Sequence, residues 1–324
     1  MTGRDGWINV ASPPTWRNGA RSEGVAIRYR SWGRLAPARD NAVLVCPALT
    51  GDRRVDRWWD GLLGPGRALD PTRSFIVSMD VVGGSGGTRS RPALDAVDVR
   101  DMVQAQRLLI DALGIDRLER VIGGSLGGMQ ALEWAVGHPD RVASAVVIAA
   151  PARQTAWAAG LNHVQRRAIE RHGDLELARM VAMLSYRHWS DLDGRLRPLT
   201  LERGAVGGWL NHHGDALRAR FDAAAYLRLM RAMDHHDVGR DRNGTAAALA
   251  GCRVPTLVVG ITSDLLYPPD ELHALADGLG RAQLGWLTAA QGHDAFLIEQ
   301  RALDRLIREF DPCTVRPETE EISA

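Results

Sequence analysis

The sequence predicts an α/β protein: a mostly parallel sheet covered by helices on both faces, with a helical segment inserted late in the chain. Three observations carry this. Short apolar runs alternate with stretches of helical periodicity, the pattern of a parallel sheet between helical layers. One such run leads into one such stretch through Gly123-Gly124-Ser125-Leu126-Gly127. Between residues 151 and 248 the strand-like runs stop and then resume.

Taken in order, residues 41–48 (NAVLVCPA) and 74–79 (SFIVSM) are short apolar runs and read as buried strands, with a Trp-rich stretch at 58–70 between them. Residues 98–113 place Met102, Leu108, Leu109 and Leu113 at helical spacing, and Gly114 follows as a residue that closes a helix. Residues 120–123 form a strand into the pentapeptide, 130–136 carry a helix onward, and 142–149 are a further apolar strand. Strand-like sequence returns at 256–261 and 283–287, and 296–310 has the pattern of a closing amphipathic helix. The polar tail after Asp311 reads as frayed. The domain reading is a discontinuous α/β core, residues 1–150 and 249–324, interrupted by a helical lid at 151–248.

Composition narrows the function classes. A chain of 324 residues, 45% hydrophobic and 24% charged, suits one large α/β domain with an insertion. A net charge of +1 gives no reason to expect nucleic acid or an anionic membrane as partner. No apolar run approaches the ~18 residues of a membrane span, and the N-terminus lacks the apolar centre of a signal peptide. Cys46, Cys252 and Cys313 are too few and too scattered for a disulfide framework, and they suit a reducing cytoplasm. The chain contains no lysine, so a Schiff base to pyridoxal phosphate and a P-loop lysine are both excluded.

The pentapeptide at 123–127 fits the G-x-S-x-G elbow, in which a serine sits on a sharp turn between strand and helix. Val121 and Ile122 precede it, and helix-forming MQALEW follows. Glycines at 123 and 127 fit the close passage of strand and helix. The Leu126 N–H, at the helix start, can face an oxyanion. A second donor comes from the loop after an earlier strand, where Leu49 lies in Pro47-Ala48-Leu49-Thr50-Gly51. In the fold built around this elbow, the α/β-hydrolase fold, the chain order is serine, acid, histidine. Asp264 follows the 256–261 run, and His293, preceded by Gly292, follows the 283–287 run. Both strand ends reach the sheet edge that carries Ser125. The expected chemistry is acyl transfer, with His293 taking the Ser125 proton and Asp264 fixing the imidazole tautomer. His235-His236 and His212-His213 have no clear set of carboxylate or cysteine ligands around them, so no metal site is expected. The glycine-rich stretch at 83–87 lacks G-x-G-x-x-G spacing and reads as a tight loop near the active-site edge.

Longer motifs make the chain resemble the homoserine O-acetyltransferase family. They are ALTGD (48–52), WWDGLLGPGRALD (58–70), RDMVQAQRLLIDALGI (100–115), GGSLGGMQALEWAVGHPDRV (123–142), ITSDLLYPP (261–269) and GHDAFLIE (292–299). Within the insertion, NHVQRRAI (162–169), GDALRARFDAAAYL (214–227) and AMDHHDVGR (232–240) are similar as well. The resemblance implies a step of methionine biosynthesis. An acetyl group passes from acetyl-CoA, a cosubstrate with no bound cofactor beside it, to homoserine by a ping-pong route through an acyl ester on Ser125. It matches Leu49 and Leu126 to the oxyanion hole and Arg179 to the group gripping the amino-acid carboxylate. It matches Asp294 to the carboxylate holding the amine, Tyr186 to the nearby tyrosine, and Thr50 to a substrate-side threonine. Lid helices pair two subunits in the family, which makes a homodimer an expectation. The chain departs from the family pattern in four places. Pro47 stands where His is usual, Leu126 where Met is usual, the loop after Met79 lacks the Gly-Gly-Cys-Tyr-Gly-Ser form, and the stretch from Ile169 to Arg179 is much shorter. These departures leave the acceptor open between homoserine, serine and another hydroxyl, and the donor between acetyl- and succinyl-CoA. Plain serine hydrolysis and a catalytically dead scaffold or binding protein are the remaining alternatives, and an intact triad in matching chain order argues against the last.

Overall fold

The computed structural model describes residues 2–11, 15–17, 19–200 and 204–315. Its strands are β1 (Arg4–Ala11), β2 (Gly24–Trp32), β3 (Ala42–Cys46), β4 (Phe75–Met79), β5 (Arg89–Arg91), β6 (Arg120–Gly124), β7 (Ala145–Ile148), β8 (Thr256–Ile261) and β9 (Ala282–Leu287). They form one sheet in the order β1-β2-β4-β3-β6-β7-β8-β9, with β5 also paired to β2. From β4 to β9 every pairing is parallel, and β2 runs antiparallel to β1, β4 and β5. This is the α/β-hydrolase architecture.

The central strands β3, β6, β7 and β8 are covered on both faces, which is why they read as continuous apolar runs. Alternation along each strand divides their side chains between two cores. Leu44, Val121, Val147 and Val258 face one core with Met102, Leu109, Leu132 and Trp134. Val43, Ile122, Val146 and Val259 face the other with Trp59, Phe296, Leu303 and Ile307. The helices supplying these layers are α1 (Val55–Trp58), α2 (Val99–Ala112) and α3 (Leu126–Gly137), and, after the insertion, α10 (Pro269–Gly278), α11 (Ala295–Ile298) and α12 (Gln300–Glu309). Asp98 and Asp101 close a capping box at the start of α2, and Gly114 has the positive φ (68°) that ends it.

Between β7 and β8 lie α4 (Ala156–His172), α5 (Leu175–Tyr186), α6 (Trp189–Thr200), α7 (Ala205–Arg218), α8 (Ala223–Asp234) and α9 (Thr245–Ala250), with no strand among the described residues. The end of this insertion packs back on the core. Arg242 donates to Glu133 of α3 at 3.0 Å, and Arg100 of α2 pairs with the same carboxylate at 3.3 Å. No helix among the described residues is long and apolar enough to cross a membrane.

The structure departs from the sequence expectations in several places. The antiparallel edge formed by β1, β2 and β5 carries no sequence assignment above. The run at 142–149 narrows to Ala145–Ile148: Val142 makes only an isolated bridge to Leu118, the chain bends at Ala143, and Ala149 takes a positive φ of 46°. The closing helix at 296–310 is two helices, broken at Glu299 (φ −85°, ψ 45°). The tail is docked through residue 315: Arg281 Nε donates to the Val315 carbonyl at 3.0 Å, and Val315 is buried. The remaining tail, 316–324, lies outside the described residues.

Candidate active site

Ser125 sits between the last residue of β6 and the first of α3 at φ 56°, ψ −123°, a conformation that costs a non-glycine residue on the order of 1–3 kcal/mol. Crowding around the turn holds it there. A Cβ at Gly123 would collide with the Gly127 carbonyl oxygen, and one at Gly127 with the Cys46 carbonyl oxygen. The Ser125 N–H is tied to the Ile148 carbonyl of β7 at 2.9 Å. The predicted elbow is therefore present, wedged between the ends of β3, β6 and β7.

Asp264 lies in the turn after β8. Its Oδ1 accepts from the N–H groups of Leu266 (2.8 Å) and Tyr267 (3.0 Å), and its Oδ2 lies 2.7 Å from His293 Nδ1. His293 is in the short turn Gly292–Asp294 after β9, and its Nε2 lies 2.8 Å from Ser125 Oγ. Ser263 Oγ accepts the Gly292 N–H at 2.9 Å and joins the two loops. Gly292 has φ 74°, and a Cβ there would stand 2.6 Å from the His188 nitrogen. Tyr186, Tyr267 and Phe296 box the imidazole, their ring centroids 5.5–5.7 Å away.

Asp264 and His293 are buried, at 1% and 2% exposure. An ionised carboxylate only accepts, so Nδ1 carries the proton and Nε2 presents its lone pair to the serine hydroxyl. Burial opposes charging of His293, but the charge and hydrogen bond of Asp264, with the charge of Asp294, outweigh it and lift the imidazole above its ordinary 6.5. A hydroxyl bonded to such an imidazole can give up its proton while attacking a carbonyl carbon.

The other nominated residues gather around this trio. The Leu126 N–H is the first of α3 and has no acceptor within the helix. Leu49 lies three residues beyond Cys46, whose register partner in β6 is Gly123. The loop at 47–50 thus passes beside the elbow. The Thr50 carbonyl accepts from Arg220 of the insertion at 2.7 Å. Arg179, on α5, holds its guanidinium carbon 5.7 Å from the Tyr186 ring centroid. Arg179 and Tyr186 both border Tyr226, whose hydroxyl donates to Gln165 at 2.8 Å. Asp294 follows His293 and lies 3.2 Å from Arg187 Nε. Burial raises the Asp294 carboxyl above its ordinary value, while Arg179, Arg187 and His293 pull against that rise.

Sequence reasoning missed Arg187 and Arg220. Arg187 also pairs with Asp191 at 3.1 Å, so it links Asp294 to the start of α6. The Arg187–Asp191 pair has i,i+4 spacing, but the contacts that bring these arginines to the site, Arg187 to Asp294 and Arg220 to Thr50, are distant in the chain and no local pattern announces them. His138, His235 and His236 serve the framework. His236 Nε2 lies 3.1 Å from the Pro151 carbonyl oxygen, and His235 is the C-cap of α8. His138 caps α3, and burial lowers it to about 4. The glycine-rich loop after β4 is anchored by Asp80, which accepts the Gly87 N–H at 2.7 Å, and its Ser85 accepts the Asp222 N–H at 2.7 Å.

Comparison with known proteins agrees with this geometry. A family model described as the alpha/beta hydrolase fold matches residues 41–300. The homoserine O-acetyltransferase of Trichormus variabilis is 42% identical over 94% of this chain and 93% of its own length. That of Salinibacter ruber is 43% identical over 90% of this chain and 94% of its own length. Among solved structures, homoserine O-acetyltransferase from Staphylococcus aureus superposes with a TM-score of 0.82 at 27% identity, covering 95% of each chain. On this fold and at this similarity, the chain belongs to the homoserine O-acetyltransferase family of α/β-hydrolase-fold acyltransferases.

Proposed function

We propose that this protein moves an acetyl group from acetyl-CoA to the hydroxyl of L-homoserine through an acyl ester on Ser125. The observation that carries the reading is the unbroken chain from Asp264 through His293 to Ser125, flanked by a guanidinium and a carboxylate at Arg179 and Asp294. In the first half-reaction Ser125 Oγ attacks the thioester carbonyl and its proton passes to His293 Nε2. The oxyanion rests on the N–H groups of Leu49 and Leu126. The carbon–sulfur bond breaks and the thiol leaves with the proton from His293. In the second half-reaction the acceptor hydroxyl gives its proton to His293 and attacks the ester. Collapse returns the proton to Ser125 and releases O-acetylhomoserine.

Arg179 suits a planar carboxylate, since a guanidinium offers two parallel donors. Asp294 retains an oxygen beyond its contact with Arg187 for the substrate amine. Tyr186 and Thr50 line the acceptor side. The reading places the enzyme in the cytoplasm as a homodimer through the insertion. Trp157, Val164, Leu177, Leu184 and Trp189, all on α4–α6, are exposed, and a second copy covers them in this reading.

The test is CoA release from acetyl-CoA and from succinyl-CoA, each with homoserine, serine or water alone. Fast release with acetyl-CoA and homoserine only is the expected result. Equal release with and without an amino acid makes the enzyme a hydrolase. A preference for serine or for succinyl-CoA would reassign acceptor or donor without touching the chemistry at Ser125.

A further inference from the structure

Behind the two oxyanion amides lies a buried side-chain amide that the reaction scheme does not use. Gln130, in α3, has 0% exposure. Its Nε2 donates to two backbone carbonyls, Pro47 at 3.1 Å and Leu126 at 3.0 Å. Its Oε1 accepts from Gln106 Nε2 of α2 at 2.7 Å. Gln106, at 1% exposure, accepts in turn from Trp134 Nε1 at 2.7 Å. This pattern fixes the direction of both amides. Reversing Gln130 would aim an acceptor at two carbonyls and a donor at an NH2, which loses three buried hydrogen bonds at once.

The two carbonyls it joins are the informative part. Leu126 supplies one oxyanion N–H, and Pro47 precedes by two residues the Leu49 that supplies the other. The loop bearing Leu49 leaves β3 at Cys46, and Pro47 has no N–H with which to bond the elbow itself. The Gln130 side chain therefore spans the gap between the segments whose amides must converge on one oxygen.

We propose that Gln130 is the positioning residue of the oxyanion hole, holding the Pro47–Leu49 loop at a fixed separation from the start of α3. The proposal rests on the assignment of Leu49 and Leu126 as oxyanion donors and of Ser125 as nucleophile. It predicts a specific kinetic pattern. Both half-reactions pass through a tetrahedral oxyanion, so both slow together, while ground-state binding and the basicity of His293 stay as they are.

The experiment compares wild type with Gln130→Met, which keeps the volume and removes the hydrogen bonds, and with Gln106→Met, which removes only the anchor of Gln130. The substrates are acetyl-CoA with homoserine and, separately, p-nitrophenyl acetate, which needs neither CoA nor an amino acid. Gln130→Met is expected to lower kcat about 10- to 100-fold in both half-reactions and with the ester, below the ~10²–10³ lost with a donor itself. KM and the acid limb of the pH profile stay unchanged, and Gln106→Met shows a smaller loss of the same kind. A lowered melting temperature with wild-type kcat per folded molecule overturns the proposal and leaves Gln130 as packing. If Gln130→Met does not fold, wild-type rates in Gln106→Met overturn it. Ser125→Ala separates the underlying reading: ester turnover surviving in that variant removes the nucleophile assignment, whatever Gln130 does.

Discussion

Replacing Asp264 by asparagine alters few atoms, and the backbone around them decides the outcome. Oδ1 receives two N–H groups, from Leu266 and Tyr267, so the asparagine oxygen must stay there. Turning the NH2 toward those donors would leave both unsatisfied in a buried site, at about 1–3 kcal/mol each. The NH2 therefore faces His293 Nδ1 from 2.7 Å. Nδ1 must then accept, the ring proton moves to Nε2, and Nε2 meets Ser125 Oγ as a donor. The base is lost while packing is preserved. In a serine protease the same exchange costs about 10⁴ in kcat, or roughly 5 kcal/mol of barrier, and a similar loss is expected here. The assay is rapid-quench CoA release with intact-mass detection of the acyl-enzyme, run beside a KM determination. A variant within about tenfold of wild type would mean that Asp264 does not set the tautomer.

Three further outcomes follow from the same geometry. His293 must be neutral to take a proton, and its pKa lies above 6.5, so acylation rises with pH along a limb centred above 6.5; removing the Asp264 charge moves that limb to lower pH, and an unmoved limb contradicts the assignment. Arg179→Ala slows transfer to homoserine about 100-fold, the loss of a charged bidentate contact of some 2–3 kcal/mol, while CoA release in the absence of acceptor stays within about threefold; equal losses in both half-reactions would remove the carboxylate role. Gly292→Ala forces a side chain onto a residue at φ 74° against the His188 nitrogen, so urea unfolding should show a loss of about 2 kcal/mol or more with activity falling further still.

What was legible in the sequence was what local pattern encodes. β3, β6, β7 and β8 stand out because both faces are buried, and the order serine, acid, histidine stands out because each member follows a strand. β1 and β2 were not assigned because their faces are half exposed and carry Arg, Asp and Gly among the apolar residues. The break at Glu299 is a backbone turn inside one amphipathic pattern. Gln130 and Arg220 were silent because the contacts that join them to the 47–50 loop, to Pro47 and to Thr50, span 83 and 170 residues. Motif reading finds Ser125, Asp264 and His293, and tertiary contacts supply the groups that hold them.

The contacts between insertion and core bear on how the enzyme loses activity. Arg220 holds the Thr50 carbonyl, Asp222 is bonded to Ser85, and the backbone at 186–188 closes on Gly292. The sheet edge that carries Ser125 thus leans on helices α5–α8, among whose described residues no strand occurs. Sub-global opening of α5–α8, at a free energy below that of the sheet, would slacken the 47–50 loop and the His293 loop together. Thermal inactivation then belongs to this partial melting, with amides of α5–α8 exchanging while those of β6–β8 remain protected.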